Sequence, residues 1–193
     1  MPINALYLGV FWMIYYTLHS ALASERVKEF FAQKIPAIYN WYRMLYSFFA
    51  GINFALLLWF HIITPSANFF SPNQILAYTG IVLLLLAVII FLIAIRQYRL
   101  SFWVKSSPDI ESQSLITTGI NAYVRHPLYF AVLIGLLGII LIYTSWKNLI
   151  FSLITVLYII IGTLLEEQKL LGIYKTDYVE YRKRVKMLIP FIV

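Results

Sequence analysis

Five long blocks of this chain carry no Asp, Glu, Lys or Arg, and that absence limits the fold more than any motif does. The blocks run approximately Ile3–Leu22, Leu45–Ile63, Ile75–Ile95, Leu128–Thr144 and Leu149–Leu165. An α-helix needs about 20 apolar residues to cross a bilayer, and inside it only helices and closed barrels satisfy their own backbone hydrogen bonds. Charged residues make up 12% of the 193 present, against roughly 25% in a soluble domain. They are missing in blocks rather than thinned evenly. The expected fold is all-α, a polytopic membrane protein with five transmembrane helices. Only Ser145-Trp146-Lys147-Asn148 joins the last two, so they should form a tight hairpin. Residues 1–193 are read as a single integral membrane domain, with three N-terminal spans in 1–95. Residues 96–193 then supply a long loop, the helical hairpin and a C-terminal helix. The first block lacks a basic leading segment and exceeds a secretory signal core, which makes it a retained span. With no cysteine in the chain, disulfides, thiolate catalysis and cysteine-based zinc sites are excluded.

Orientation follows from the positive charges. Arg26, Lys28, Lys34 and Arg43 lie in residues 24–43, and Arg96, Arg99, Lys105 and Arg125 in residues 96–127. Lys169, Lys175, Arg182, Lys183, Arg184 and Lys186 follow the last block, leaving Lys147 alone on the opposite side. Positive residues collect on the cytoplasmic side, so the N-terminus is expected outside and the C-terminus in the cytoplasm. The net charge of +7 then reads as affinity for the inner leaflet. The expected partner is the lipid bilayer, with no nucleic acid and no metal.

The chemistry should therefore sit on the inner side, and two short elements there stand out. In Tyr123-Val124-Arg125-His126-Pro127-Leu128-Tyr129, Pro127 suits the first turn of a helix and drives His126 toward an extended conformation. The fourth span thus starts at Pro127, with its unpaired N–H groups and positive dipole end facing inward, a setting that favours an anion. Arg125 adds a bidentate binder of carboxylate or phosphate. The fifth span returns to end at Glu166-Glu167, two carboxylates at a helix end whose dipole prefers cations. Across a tight hairpin these ends should meet, one positive and one negative, and the pair suits a small zwitterion with an extra positive charge. Charge logic equally allows Arg125 and Glu166 simply to pair with each other. The loop from Arg96 to Arg125, about thirty residues without a periodic run, is of a length that is usually functional. Beyond the fifth span, Leu170, Tyr174, Tyr178, Tyr181 and Val185 fall on one helical face. Arg182, Lys183, Arg184 and Lys186 are available to headgroups, as in an interfacial amphipathic helix.

The runs Leu115–Ala131 (LITTGINAYVRHPLYFA) and Glu166–Pro190 (EEQKLLGIYKTDYVEYRKRVKMLIP) resemble the isoprenylcysteine carboxyl methyltransferase family. That family belongs to a wider membrane methyltransferase group that includes the phospholipid N-methyltransferases. The matching pattern is Arg125-His126-Pro127-Leu128-Tyr129, the hydrophobic hairpin, Glu166-Glu167, Leu170, Tyr178, Tyr181 and Pro190. The resemblance implies S-adenosylmethionine as methyl donor in a cytoplasm-facing site. It implies donor contacts from Gln113, Ser114, Leu115, Ile116, His126, Pro127, Leu128, Tyr129, Glu166 and Glu167. It casts Arg125, His126 and Glu166 as the catalytic, positioning set, with a lipophilic or small methyl acceptor. The chain departs from the pattern at Ala131, Lys175, Asn121 and Gly162. Gly162 stands where the eukaryotic prenylcysteine enzymes carry a substrate-side Arg, which argues against a prenylcysteine carboxylate as acceptor. The N-terminal half, His19–Phe31 and Tyr42–Ser47, is similar to nurim, a superfamily member without established methyltransferase activity. His19 and Arg43 are the polar residues that mark that segment. A non-enzymatic nurim-like membrane protein is the alternative reading. A small transporter is a further one, disfavoured because no span carries a charge in its middle.

Overall fold

The structure, a computed structural model, describes residues 3–71, 73–97 and 115–192. Among these residues there is no β-strand, and six helices account for most of the chain. They are α1 (Ile3–Ala23), α2 (Glu25–Lys34), α3 (Pro36–Ile63), α4 (Gln74–Gln97), α5 (Pro127–Ile142) and α6 (Trp146–Arg184). Four helices are long and apolar enough to cross a membrane, in α1, α3, α4 and α6. At about 1.5 Å per residue the 16-residue α5 reaches only about 24 Å, somewhat less than a full hydrocarbon layer of about 30 Å. Only Tyr143-Thr144-Ser145 separate α5 from α6, so the hairpin is as tight as the sequence suggests. The basic inter-block segment also contains α2, a short amphipathic helix that block reading leaves out.

Small residues decide which helices touch. α5 packs most extensively on α4, and a Cβ at Gly80 would stand 2.6 Å from the Gly138 carbonyl oxygen. No larger residue fits that crossing, the close-packed geometry that small residues permit between apolar helices. α1 packs chiefly on α6, with Ala5, Leu8 and Trp12 fully buried.

Polar pairs fix the same bundle at the end opposite the basic segments. The Trp12 indole donates to His61 Nδ1 at 3.2 Å, and His61 Nε2 lies 2.9 Å from Asn148 Oδ1. Because an indole only donates, Nδ1 is the acceptor and the His61 proton sits on Nε2. Lys147 Nζ caps the end of α3, donating to the carbonyls of His61 at 2.7 Å and Thr64 at 2.7 Å. A cation on those terminal carbonyls also complements the helix dipole.

α6 outruns any bilayer. Its 39 residues contain one non-helical position, Lys175, at φ 44° and ψ −118°. The helix breaks there, and residues 176–192 fold back toward the start of α5. Residues 185–187 lie along residues 124–126, with Arg125 N–H on the Lys186 carbonyl at 2.9 Å and His126 N–H on that of Met187 at 3.1 Å.

Candidate functional site

The start of α5 is held from three directions. His126 is its N-cap, at φ −120° and ψ 70°, and Pro127 is its first helical residue. Before it, a single 3₁₀ turn (Gly119–Ala122) reverses the chain. Gly119 has φ 61°, and a Cβ there would overlap Gln97 Oε1, so the position needs glycine. Gln97, at the end of α4, donates to the Thr118 carbonyl at 2.6 Å and to Asn121 Oδ1 at 3.1 Å, and accepts the Ile120 N–H at 3.2 Å. Asn121 in turn donates to the Arg125 carbonyl at 3.2 Å, and Tyr181 donates to the Asn121 carbonyl at 2.6 Å.

Around this turn four side chains make five contacts with one carboxylate. Glu167 Oε1 accepts from Arg125 Nε at 2.8 Å, His126 Nε2 at 2.8 Å and Tyr178 Oη at 2.6 Å. Its Oε2 accepts from Arg125 Nη2 at 3.0 Å and lies 3.2 Å from Arg182 Nε. The Arg125 and Glu167 side chains are 7% and 5% exposed, and Tyr178 is fully buried. The third guanidinium nitrogen, Arg125 Nη1, donates to the Val185 carbonyl. A bidentate pair buried this deeply is held only when its remaining donors and acceptors are satisfied, and here they are.

Glu167 follows the apolar stretch, which ends at Leu165. Burial pushes its carboxyl up, but the hydrogen bonds from His126, Arg125 and Tyr178 outweigh it and hold the group at about 2. Burial and the neighbouring Glu167 carboxylate push the Tyr178 phenol well above its usual range, so it remains a donor.

An ionised carboxylate can only accept. That contact therefore carries a proton on His126 Nε2, so in the singly protonated ring Nδ1 is the acceptor nitrogen. Nδ1 is the nitrogen turned toward Glu166, 3.7 Å from its Oε2, and the Glu166 side chain is 46% exposed. The two neighbouring glutamates thus have opposite roles in the architecture. Glu167 is enclosed by donors, while Glu166 stands open beside a fixed imidazole. Tyr129 stacks on His126, with ring centroids 5.7 Å apart.

The structure brings together most of the residues singled out from the sequence. Arg125, His126, Pro127, Leu128, Tyr129, Glu166 and Glu167 form one cluster, and Leu115 packs against the nearby Tyr178, Tyr181 and Val185 core. Ile116 is more exposed. Gln113 and Ser114 lie outside the described residues. The ion pair with Arg125 across the hairpin forms through Glu167 and not Glu166, because one step along a helix turns a side chain by about 100° and leaves Glu166 46% exposed. Arg125 is consequently engaged on every guanidinium nitrogen. Gln97 and Arg182 were not singled out as site residues. Arg182 falls four positions after Tyr178, on its face of the helix, and that spacing is a readable signal; Gln97 has none. Among the described residues no cluster of His, Cys, Asp or Glu suits a metal ion.

Comparison with known proteins gives a consistent result. Residues 75–177, rather more than half of the chain, match the phospholipid methyltransferase family. A methanethiol S-methyltransferase of Crocosphaera subtropica is 30% identical over 190 residues, covering 90% of this chain and 70% of the relative. One of Bradyrhizobium diazoefficiens is 26% identical, covering 90% of this chain and 62% of its own length. The protein-S-isoprenylcysteine O-methyltransferase of Schizosaccharomyces pombe is 37% identical over 79 residues, 40% of this chain and 34% of that protein. No solved structure matches the chain significantly.

Proposed function

We propose that this chain, which belongs to the phospholipid methyltransferase family, transfers a methyl group from S-adenosylmethionine to a small thiol at the inner face of a membrane. It is an integral membrane methyltransferase. The thiol is favoured over other small or lipophilic acceptors because it is named in the relatives that span most of the chain. The observation that carries the reading is the setting of His126 between two glutamates, with Nε2 2.8 Å from buried Glu167 and Nδ1 3.7 Å from exposed Glu166.

The residues present suit such a donor. S-adenosylmethionine supplies an electrophilic methyl group on a cationic sulfur, beside an ammonium and a carboxylate. Glu166 is the open carboxylate for the cationic groups. The first-turn amides of α5, which no side chain caps, suit the carboxylate. Arg125 is fully engaged by Glu167 and Val185, so its part is to hold the two helix ends together. Leu115, Ile116, Leu128 and Tyr129 form apolar and aromatic walls; Gln113 and Ser114 complete the proposed contacts.

Methyl transfer is an in-line displacement in which alignment of the reacting atoms lowers the barrier most. A thiol must also lose its proton to attack. In this reading His126 Nδ1 accepts it, and Glu167 steadies the resulting imidazolium through Nε2. Gly162, one turn before Glu166, has open space where a side chain would project and offers no cation for a carboxylate acceptor.

In this reading α5 is a short fifth span, the basic ends of the helices face the cytoplasm, and the N-terminus lies outside. The tail beyond Lys175 lies in the inner interface. Calorimetry on purified protein tests donor binding, with labelled methyl transfer into small thiols, lipids and prenylcysteine analogues as the acceptor assay. Donor binding that weakens in Glu166→Gln, with transfer to thiols, is the expected result. Absence of binding in the parent, with Glu166→Gln indistinguishable from it, overturns the reading.

A further inference from the structure

His19 and Arg43 lie outside the site just described; His19 lines a different feature, and Arg43 sits beyond its end. α1 and α3 face each other across a partly open cleft of about 310 Å³. Its walls are two helical stripes, running from Phe11 to Leu22 on α1 and from Phe49 to Phe60 on α3. At one end the Phe11 and Phe60 rings close it edge to face, 5.9 Å apart. At the other, Tyr42 Oη donates to the Leu22 carbonyl at 2.8 Å.

Three properties define what fits. First, the lining is apolar and its polar groups are already satisfied within the walls. Tyr15 donates to the Ala50 carbonyl, and Asn53 to that of Phe49 at 2.8 Å. Second, each wall is eleven residue steps long, about 16 Å at 1.5 Å per residue. That is about half of the roughly 30 Å hydrocarbon layer, the reach of a chain from one leaflet and too short to seat a spanning helix from a second copy. Third, charge is confined to one end. Arg43 and Tyr46 continue the α3 stripe of Ala50, Asn53 and Leu57 at three- and four-residue spacing, toward the basic end of the bundle. Tyr46 Oη lies 3.0 Å from His19 Nε2, and half-buried Arg43 sits within electrostatic range of that hydroxyl.

We infer that the α1–α3 cleft is a binding site for an anionic phospholipid of the inner leaflet, one acyl chain lying between the helices and the phosphate meeting Arg43, Tyr46 and His19. An uncharged lipid fills the same groove with its chain but gains nothing from Arg43. The phosphate group is therefore the source of selectivity, and the groove the source of retention.

The test uses the full chain reconstituted in nanodiscs of equal parts phosphatidylglycerol and phosphatidylcholine. Lipid retained after detergent extraction is counted by native mass spectrometry. Wild type should keep about one lipid, enriched for phosphatidylglycerol about fivefold, the effect of one basic residue of about 1 kcal/mol near an anionic headgroup. Arg43→Gln should keep the lipid and lose the enrichment, and Leu18→Trp, which fills the groove, should lose the lipid. Lys34→Gln, on exposed α2, should behave as wild type. Equal retention in wild type and Leu18→Trp, or enrichment unchanged by Arg43→Gln, overturns the inference. So does disulfide cross-linking of Leu18→Cys between copies, because it places a second protein chain in the groove. A circular dichroism spectrum matching wild type is required of each variant, and Leu18→Phe, a smaller filling of the groove that should also lose the lipid, replaces Leu18→Trp if the latter misfolds.

Discussion

Replacing Glu167 by Gln removes the charge and one acceptor oxygen from a position that receives five donor contacts. The amide oxygen can satisfy two of them, and the new NH2 group points at groups that can themselves only donate. Arg125 is then left as a buried cation without a counter-ion. Breaking a buried pair in this way costs about 3–5 kcal/mol. Arg182 adds little to that figure, since its side chain is 43% exposed and an exposed ion pair contributes at most about 1 kcal/mol. At roughly 2–4 °C per kcal/mol for a chain of this size, melting in detergent should fall by roughly 6–20 °C. Glu166→Gln, at a half-exposed side chain, should change it by no more than about 2 °C, the size of an ordinary surface substitution. Intrinsic fluorescence on heating reads both. The double variant Arg125→Gln/Glu167→Gln should lose less than the sum of its parts, because the two share one interaction. A mild Glu167→Gln together with a strongly destabilised Glu166→Gln would refute the assignment of Glu167 as the buried hub.

The same carboxylate sets a pH dependence. Its folded-state pKa is depressed from 4.5 to about 2, so its stabilisation is fully present above the unfolded value. It should fade as pH falls from about 4.5 toward about 2, and acid melting curves of Glu167→Gln should be flat across that window. Lys175, at φ 44° and ψ −118°, occupies a backbone region that costs a side-chain-bearing residue about 1–3 kcal/mol. Lys175→Gly should therefore raise the melting temperature despite the greater unfolded-state freedom of glycine; a lowered one would show the break is not strained. Gly119→Ala should cost about 1–2 kcal/mol from its left-handed backbone and weaken the Gln97 contacts, seen as lower thermal stability. Prenylcysteine analogues should be poor acceptors beside small thiols, and efficient carboxyl methylation of them would contradict the reading of Gly162.

The charge-free blocks and the RHP and Glu-Glu elements made the helices and the meeting of the hairpin ends legible from residues alone. Pro127 marked the start of α5 because proline's geometry is local and needs no tertiary knowledge. The choice between Glu166 and Glu167 was not legible. Both are the same residue type at the same helix end, and only the rotation of α6 against α5 decides which is enclosed. α2 was hidden inside a polar segment because block reading tracks hydrophobicity, while its ten residues fold through an amphipathic pattern. Gln97 offered no sequence signal, since its role depends on a turn more than twenty residues away. The fold-back at Lys175 was obscured for a related reason. A continuous aromatic stripe reads as one straight helix, and a single residue with an unusual backbone redirects it.

The contacts between residues 124–126 and 185–187 bind an order of events into the molecule. Backbone amides on one side of the hairpin find their acceptors only on a segment made some sixty positions later. During synthesis, Arg125 must wait at the membrane surface until both arms of the hairpin have entered the bilayer. Hydration is what carries its charge through that interval. The Arg125–Glu167 centre is therefore a late product of membrane insertion, and chains stalled midway through the hairpin should be helical and embedded but lack that buried pair.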